Sequence, residues 1–110
     1  GANPRLQDAR GRTALHYLAR GSEAMPDGQA ASIAQKLIEN GAPINVQDNQ
    51  QETPLMIAAR YGHAQMARTL MANGADPMLE NNRGETAEYI ALVADHYDVI
   101  EAIRQIKGAD

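Results

Sequence analysis

The 110-residue sequence contains no cysteine, tryptophan or phenylalanine, and only four tyrosines. Without cysteine the chain can form neither disulfides nor thiolate metal sites. No apolar run approaches the roughly 20 residues that a membrane helix needs, and the polar first residues predict no signal peptide. These absences predict no membrane contact and an intracellular location, in the cytoplasm, in the nucleus, or in a host cytosol if the protein is a secreted bacterial effector.

The charge balance is mildly acidic, with 10 lysines and arginines against 14 aspartates and glutamates. A general nucleic-acid binder needs a basic face that neutralises phosphates. The composition therefore argues against direct nucleic-acid contact. The length fits one domain, and we expect a monomer whose alanine, leucine, isoleucine and methionine build thin, closely packed helices.

The sequence repeats itself with a period of 33 residues. Thr53 and Thr86 have this spacing, and so do the Gly-Ala pairs that begin at Gly41 and Gly74. Thr13 lies further from Thr53, which leaves room for an insertion, and the loop-forming stretch SEAMPDG at 22–28 supplies it. The copies align as GRTALHYLAR…SIAQKLIENGAPIN, QETPLMIAARYGHAQMARTLMANGADP and GETAEYIALVADHYDVIEAIRQIKGAD.

These copies resemble the ankyrin-repeat family, whose pattern is close to G-x-T-P-L-H-x-A, then a second helix and Gly-Ala-Asp. The resemblance implies an all-α repeat solenoid of about three repeats, in which helix-turn-helix pairs are joined by β-hairpin loops. We predict a single ankyrin-repeat domain over 1–110. Its parts would be the hairpin of a truncated preceding repeat at 1–12, a first repeat at 13–45 with the insertion 22–28, a second at 46–77, and a third, capping repeat at 78–110.

Turn and helix-start residues recur at matching places in the repeats. Gly11 and Gly84 are expected at positive φ in the turns, whereas Gln51 in the matching place predicts a strained or differently shaped turn. Threonine is a good N-cap because its hydroxyl accepts from a free backbone N–H of the first helical turn. The predicted caps are Thr13, Thr53 and Thr86.

The two ends of the array differ from its middle. Leu15, Tyr17 and Leu18 would lack a neighbour in the first repeat, which predicts that the array extends further toward the N-terminus. Glu88 and Arg104 replace apolar residues of the earlier copies, and charges at such positions are typical of a capping repeat whose outer face meets water.

No reactive constellation stands out in the sequence. His63 and His96 recur with the repeat period, and His16 occupies the place where the family has a histidine that bonds within the turn, so structural roles are expected for all three. There is no H-E-x-x-H motif, and neither serine lies in a G-x-S-x-G elbow. We predict no catalytic residue, no metal, no cofactor and no small-molecule substrate; the protein is not expected to be an enzyme.

The resemblance also implies a binding surface, because ankyrin proteins generally hold ligands on a concave strip of hairpin tips and inner helices. Arginine and tyrosine are favoured interface anchors, and a row of arginines favours an acidic peptide or protein surface as partner. The alternative, that these arginines only cover alanine-rich helices, stays open. The predicted partner-binding residues are Arg10, Arg12, Arg20, Asn49, Gln50, Glu52, Arg60, Tyr61, Asn82, Arg83, Glu85 and Val93.

The sequence predicts a protein–protein interaction module with a scaffold or regulatory role. Two alternatives remain. The chain could be the docking or regulatory part of a larger enzyme or effector whose catalytic segment lies elsewhere. RGRTALHYLA, DNQQETPLMIAAR and HYDVIEAIRQI also resemble the last repeats of Notch receptor intracellular domains, which would imply a role in assembling transcription complexes.

Overall fold

A computed structural model of the chain describes residues 6–22 and 24–107. Both the first Gly-Ala pair, at 1–2, and the last, at 108–109, lie outside the described residues, and so does position 23 of the predicted insertion.

The described residues form six α-helices that pack in two rows. Along the first row, α1 contacts α3 and α3 contacts α5; along the second, α2 contacts α4 and α4 contacts α6; each helix of the first row also contacts its successor in the chain. None of the described helices is long and apolar enough to cross a membrane. The expected all-α repeat solenoid is confirmed. The helices are α1 Ala14–Arg20, α2 Asp27–Glu39, α3 Pro54–Tyr61, α4 Ala64–Ala72, α5 Ala87–Val93 and α6 Tyr97–Lys107.

The core is one cluster of buried side chains that runs from Leu15 to Ile103 through all three helix pairs. Leu15 is only 1% exposed, so the expectation that it lacks a neighbour is wrong; its side chain belongs to the core, whereas Tyr17 stays exposed. Glu88 and Arg104 form an ion pair of 2.9 Å, with the arginine exposed. The third repeat therefore has charged side chains where earlier copies pack apolar ones in or against the core.

The loops before α1, α3 and α5 are tight turns at 8–12, 48–52 and 81–85, and the described residues contain no β-strand. In each turn the first backbone N–H donates to the carbonyl of the fifth residue, at 2.9, 2.9 and 3.0 Å. Gly11 and Gly84 both have φ of 75°, as predicted. Gln51 adopts φ of 63°, so its turn keeps the shape of the others and places a side chain in the left-handed region.

Neighbouring turns are also bonded to each other. The backbone N–H of Asn49 donates to the carbonyl of Arg10 at 2.9 Å, and that of Asn82 donates to the carbonyl of Gln50 at 3.0 Å. The three turns thus form one hydrogen-bonded row along the edge of the stack.

All three predicted threonines occupy the N-cap positions of their helices. The Thr53 hydroxyl accepts from the N–H of Met56 at 3.2 Å, and Thr86 accepts equivalently at 3.3 Å. At Thr13 the hydroxyl lies 3.1 Å from the His16 ring instead. The first repeat therefore begins its helix through a histidine contact that the others lack.

The insertion 22–28 is only partly a loop. Its last two residues open α2, which is 13 residues long, compared with 9 in α4. The carboxylate of Asp27 accepts hydrogen bonds from the N-terminus of α4. The N-cap residue of that helix, His63, makes no capping hydrogen bond with its own side chain. The insertion thus lengthens one helix and supplies an acceptor to the next repeat.

Candidate functional site

The predicted partner-binding residues lie along the turns and the adjoining ends of the first helix row. Three shallow depressions follow one another there: Gln50 lines both the first and the second, and Arg60 and Arg83 line both the second and the third. We call the twelve predicted residues together the turn–helix strip. All except Arg20 and Tyr61 line one of these depressions, which are bounded by Arg10, Arg12, Asp48, Asn49 and Gln50; by Gln50, Glu52, Arg60, Asn81, Asn82 and Arg83; and by Arg60, Arg83, Glu85, Ile90, Val93 and Ala94.

Arg20 and Tyr61 join the strip through each other. The Arg20 guanidinium carbon lies 5.8 Å from the centre of the Tyr61 ring, a cation–π distance. Tyr61 is 48% exposed, and Arg20 is exposed as well. This stack connects the last residue of α1 to the last residue of α3.

Arg60 is held by a carboxylate at the base of its own turn. Its two terminal nitrogens donate to the two Glu52 oxygens at 2.6 and 2.5 Å, and Asn81 donates to the same carboxylate at 3.3 Å. The Glu52 side chain is 5% exposed and that of Arg60 is 38% exposed. Hydrogen bonding to Glu52 also raises the pKa of Arg60. The two hydrogen bonds orient the guanidinium, and the carboxylate compensates its charge. Glu52 was predicted as a partner-binding residue, whereas the structure buries its side chain beneath Arg60.

Arg12 is likewise paired. Its Nε donates to the buried Asp48 at 3.2 Å, and its guanidinium lies over the Tyr17 ring at 5.8 Å. Among the described residues, no ion pair involves Arg10, Arg20 or Arg83. The row of five arginines therefore contains two whose charges are compensated within the protein and three that can meet a partner's charge.

Sequence reasoning missed the residues that shape the turns. Asp8, Asp48 and Asn81 each begin a turn, and one side-chain oxygen of each accepts from the backbone N–H groups two and four residues later, at 2.9–3.0 Å. In addition, the Tyr17 hydroxyl donates to Asp8, which lowers the pKa of that carboxyl. Their spacing follows the repeat, so the period itself could have identified them.

The histidines bond to backbone carbonyls of other repeats. His63 Nε2 donates to the carbonyl of Arg20 at 2.9 Å, and His96 Nδ1 donates to that of Ala59 at 2.9 Å. The two rings lie against Gly21 and Gly62, where an added Cβ would meet them at 2.7 and 2.8 Å. The expected structural roles thus have a physical basis, because each histidine links neighbouring repeats across a glycine.

His16 is buried and bonded on both ring nitrogens. Nε2 lies 2.8 Å from the Glu52 carbonyl, which can only accept, so this nitrogen carries the proton. Nδ1 accepts from the Thr13 backbone N–H at 3.0 Å. Burial lowers the pKa of His16 and favours the neutral ring. Across the part of the chain that the structure describes, no group of three or more histidines and acids could hold a metal ion.

The family model for ankyrin repeats in many copies matches residues 30–87, and the model for the single ankyrin repeat matches residues 10–49. A search of curated proteins found no match, so the resemblance to Notch receptors stays a prediction. The match to the many-copy ankyrin model covers more than half of the chain. The chain therefore belongs to the ankyrin-repeat family, whose members are generally protein–protein interaction modules.

Proposed function

We propose that this protein binds a segment of another protein along the turn–helix strip, as a monomer and without chemistry of its own. The observation that carries the proposal is the continuity of the strip: its depressions adjoin one another from Arg10 to Val93. A partner segment lying there would contact all three repeats at once.

The composition of the strip supports a protein partner. Tyrosine and arginine are over-represented among residues that dominate binding energy, and the Arg20–Tyr61 stack offers both at one exposed place. The uncompensated charges of Arg10, Arg20 and Arg83 favour carboxylates on the partner.

The test is affinity capture with quantitative mass spectrometry, comparing the wild type with a variant that combines Arg20→Glu and Tyr61→Ala. Neither side chain is buried, so helical circular dichroism and the melting temperature should stay unchanged. Arg68→Glu is the matched control, since Arg68 is an exposed arginine on α4, in the second row.

We expect proteins captured by the wild type and by Arg68→Glu to be lost from the double variant. Capture of the same proteins by all three would show that binding does not use the strip.

A further inference from the structure

The turn–helix strip changes character from the first repeat to the third. Two positions recur in each repeat, the fifth residue of the turn and the position equivalent to Arg60 at the end of the first-row helix. In the second repeat they hold Glu52 and Arg60, which neutralise each other. In the first they hold Arg12 and Arg20, and in the third Glu85 and Val93.

The register explains why Arg20 is uncompensated. Arg12 occupies the position in the first repeat that Glu52 occupies in the second, so Arg20 has no equivalent carboxylate. The Arg12 side chain pairs instead with Asp48 in the following turn. The charge of Arg20 is therefore not compensated by an ion pair with any described residue, and its guanidinium stacks on Tyr61. Two arginines without an ion pair in the described chain, Arg10 and Arg20, thus lie at this end of the strip, together with one further acid, Asp8. The Asp8 carboxylate already accepts hydrogen bonds from Tyr17 and from the turn backbone.

The opposite end exposes an aliphatic side chain and has no excess of charge. Val93 is 66% exposed and lines a depression with Ile90 and Ala94. Three charged side chains border the same depression: Arg60, which is paired with Glu52, and Arg83 and Glu85, whose opposite charges balance each other although they form no ion pair. Glu85 accepts a hydrogen bond from Asn81 at 3.0 Å. This end therefore suits aliphatic side chains of a partner, and it has no net positive charge that would attract several carboxylates.

We propose that the strip is polarised and binds an extended segment that carries carboxylates at one end and aliphatic side chains at the other. The acidic end lies over α1, at Arg10 and Arg20, and the aliphatic end lies over Val93. This inference rests on the proposed function and adds the chemistry and the orientation of the partner. Neighbouring packed helices are spaced by roughly 8–10 Å, so the strip along α1, α3 and α5 spans about 20 Å, or about six extended residues.

The probes are three synthetic peptides of about ten residues. The first has an aspartate block followed by a leucine–valine block, the second has the two blocks in reverse order, and the third has lysines in place of the aspartates. Affinities are measured by fluorescence anisotropy, and orientation by NMR with a spin label at either end of each acidic peptide.

We expect both acidic peptides to bind about tenfold more tightly than the lysine peptide, with the difference shrinking as salt is added. A label on the aspartate block should broaden the amide signals of Arg20 and Gly21. A label on the aliphatic block should broaden those of Val93 and Ala94, whichever block comes first.

Variants test the same polarity from the side of the protein. Arg20→Glu should weaken the acidic peptides about tenfold and strengthen the lysine peptide, whereas Arg68→Glu, with the same change of net charge, should leave both affinities unchanged. Equal affinity for all peptides, no saturable binding, or broadening that does not follow the acidic block would each overturn the polarity. If capture of a natural partner still depends on Arg20 and Tyr61 in that case, the proposed function stands and only the polarity fails; if that dependence is absent too, both fail.

Discussion

The carboxylate of Asp27 accepts a hydrogen bond of 2.8 Å from the backbone N–H of Gln65, although the two residues belong to different repeats. Its second oxygen accepts from Met66 at 3.1 Å. Asp27 therefore satisfies two N–H groups in the first turn of α4, which a helix leaves free, and it places a negative charge at the positive end of that helix.

Replacing Asp27 by alanine should destabilise the protein by about 1 kcal/mol, since losing a helix cap usually costs that much. Asp27→Asn keeps an acceptor and should cost less. The free energies of unfolding in urea, measured for both variants, decide the matter. Equal losses for alanine and asparagine would show that the acceptor contributes nothing and that only charge counts.

The pair of Glu52 and Arg60 should be coupled strongly. Arg60→Gln leaves a buried carboxylate supported mainly by Asn81, and we expect a loss of about 2 kcal/mol. Glu52→Gln leaves an arginine that can still reach water, so about 1 kcal/mol is expected. In a double-mutant cycle the combined variant should lose less than the sum of the two. Additive losses would show that the pair does not interact energetically.

Arg60→Glu is unsuitable for probing the strip, because it would place a second carboxylate against Glu52.

The buried His16 should make stability depend on pH. Its pKa is lower in the folded protein than the usual 6.5, so the unfolded chain binds more protons as the pH falls through 6.5. The stabilisation from the neutral ring is thus complete above 6.5 and is lost progressively below it, toward the folded pKa. Urea unfolding of the wild type and of His16→Gln at about pH 7.5 and about pH 5.5 tests this. The wild type should lose more stability between these values than the variant; parallel losses would assign the pH dependence to other groups.

Gln51 should be strained relative to its counterparts in the other turns. Gly84→Gln ought to cost about 1 kcal/mol, since it forces a side chain into the left-handed region, and the added Cβ would meet only Glu80, at 3.9 Å. Gln51→Gly should relieve the same strain, but the gain will be smaller, at about 0.5 kcal/mol, because glycine also gives the unfolded chain more freedom. Thermal melting of the two variants provides the comparison. A destabilised Gln51→Gly protein would contradict the prediction.

The repeat period predicted the fold because the turns and helix starts of the second and third repeats lie one period apart, and the first repeat differs from them only by its insertion. Thr53, Thr86, Gly11 and Gly84 all do locally what their positions indicated. The contacts that cross the period were not predictable in this way. Asp27 acts on a helix that lies a whole repeat further along the chain, so no local pattern reveals it.

The candidate site was predicted as a set of positions, but not as a distribution of charge. The sequence indicated a row of arginines, and the structure compensates two of them, Arg12 and Arg60, through acids whose pairing depends on side-chain direction. One acid, Asp48, comes from the following turn, and the other, Glu52, lies eight residues before its arginine. Neither separation is a spacing that brings side chains together on a helix.

The hydrogen bonds from Asn49 to Arg10 and from Asn82 to Gln50 have a consequence for binding kinetics. Loops that are already tied to one another lose little freedom when a ligand settles on them, so the entropy that association normally costs is reduced. A ligand that spans several repeats would then bind a preorganised surface, and differences in affinity among ligands should arise chiefly from differences in their dissociation rates.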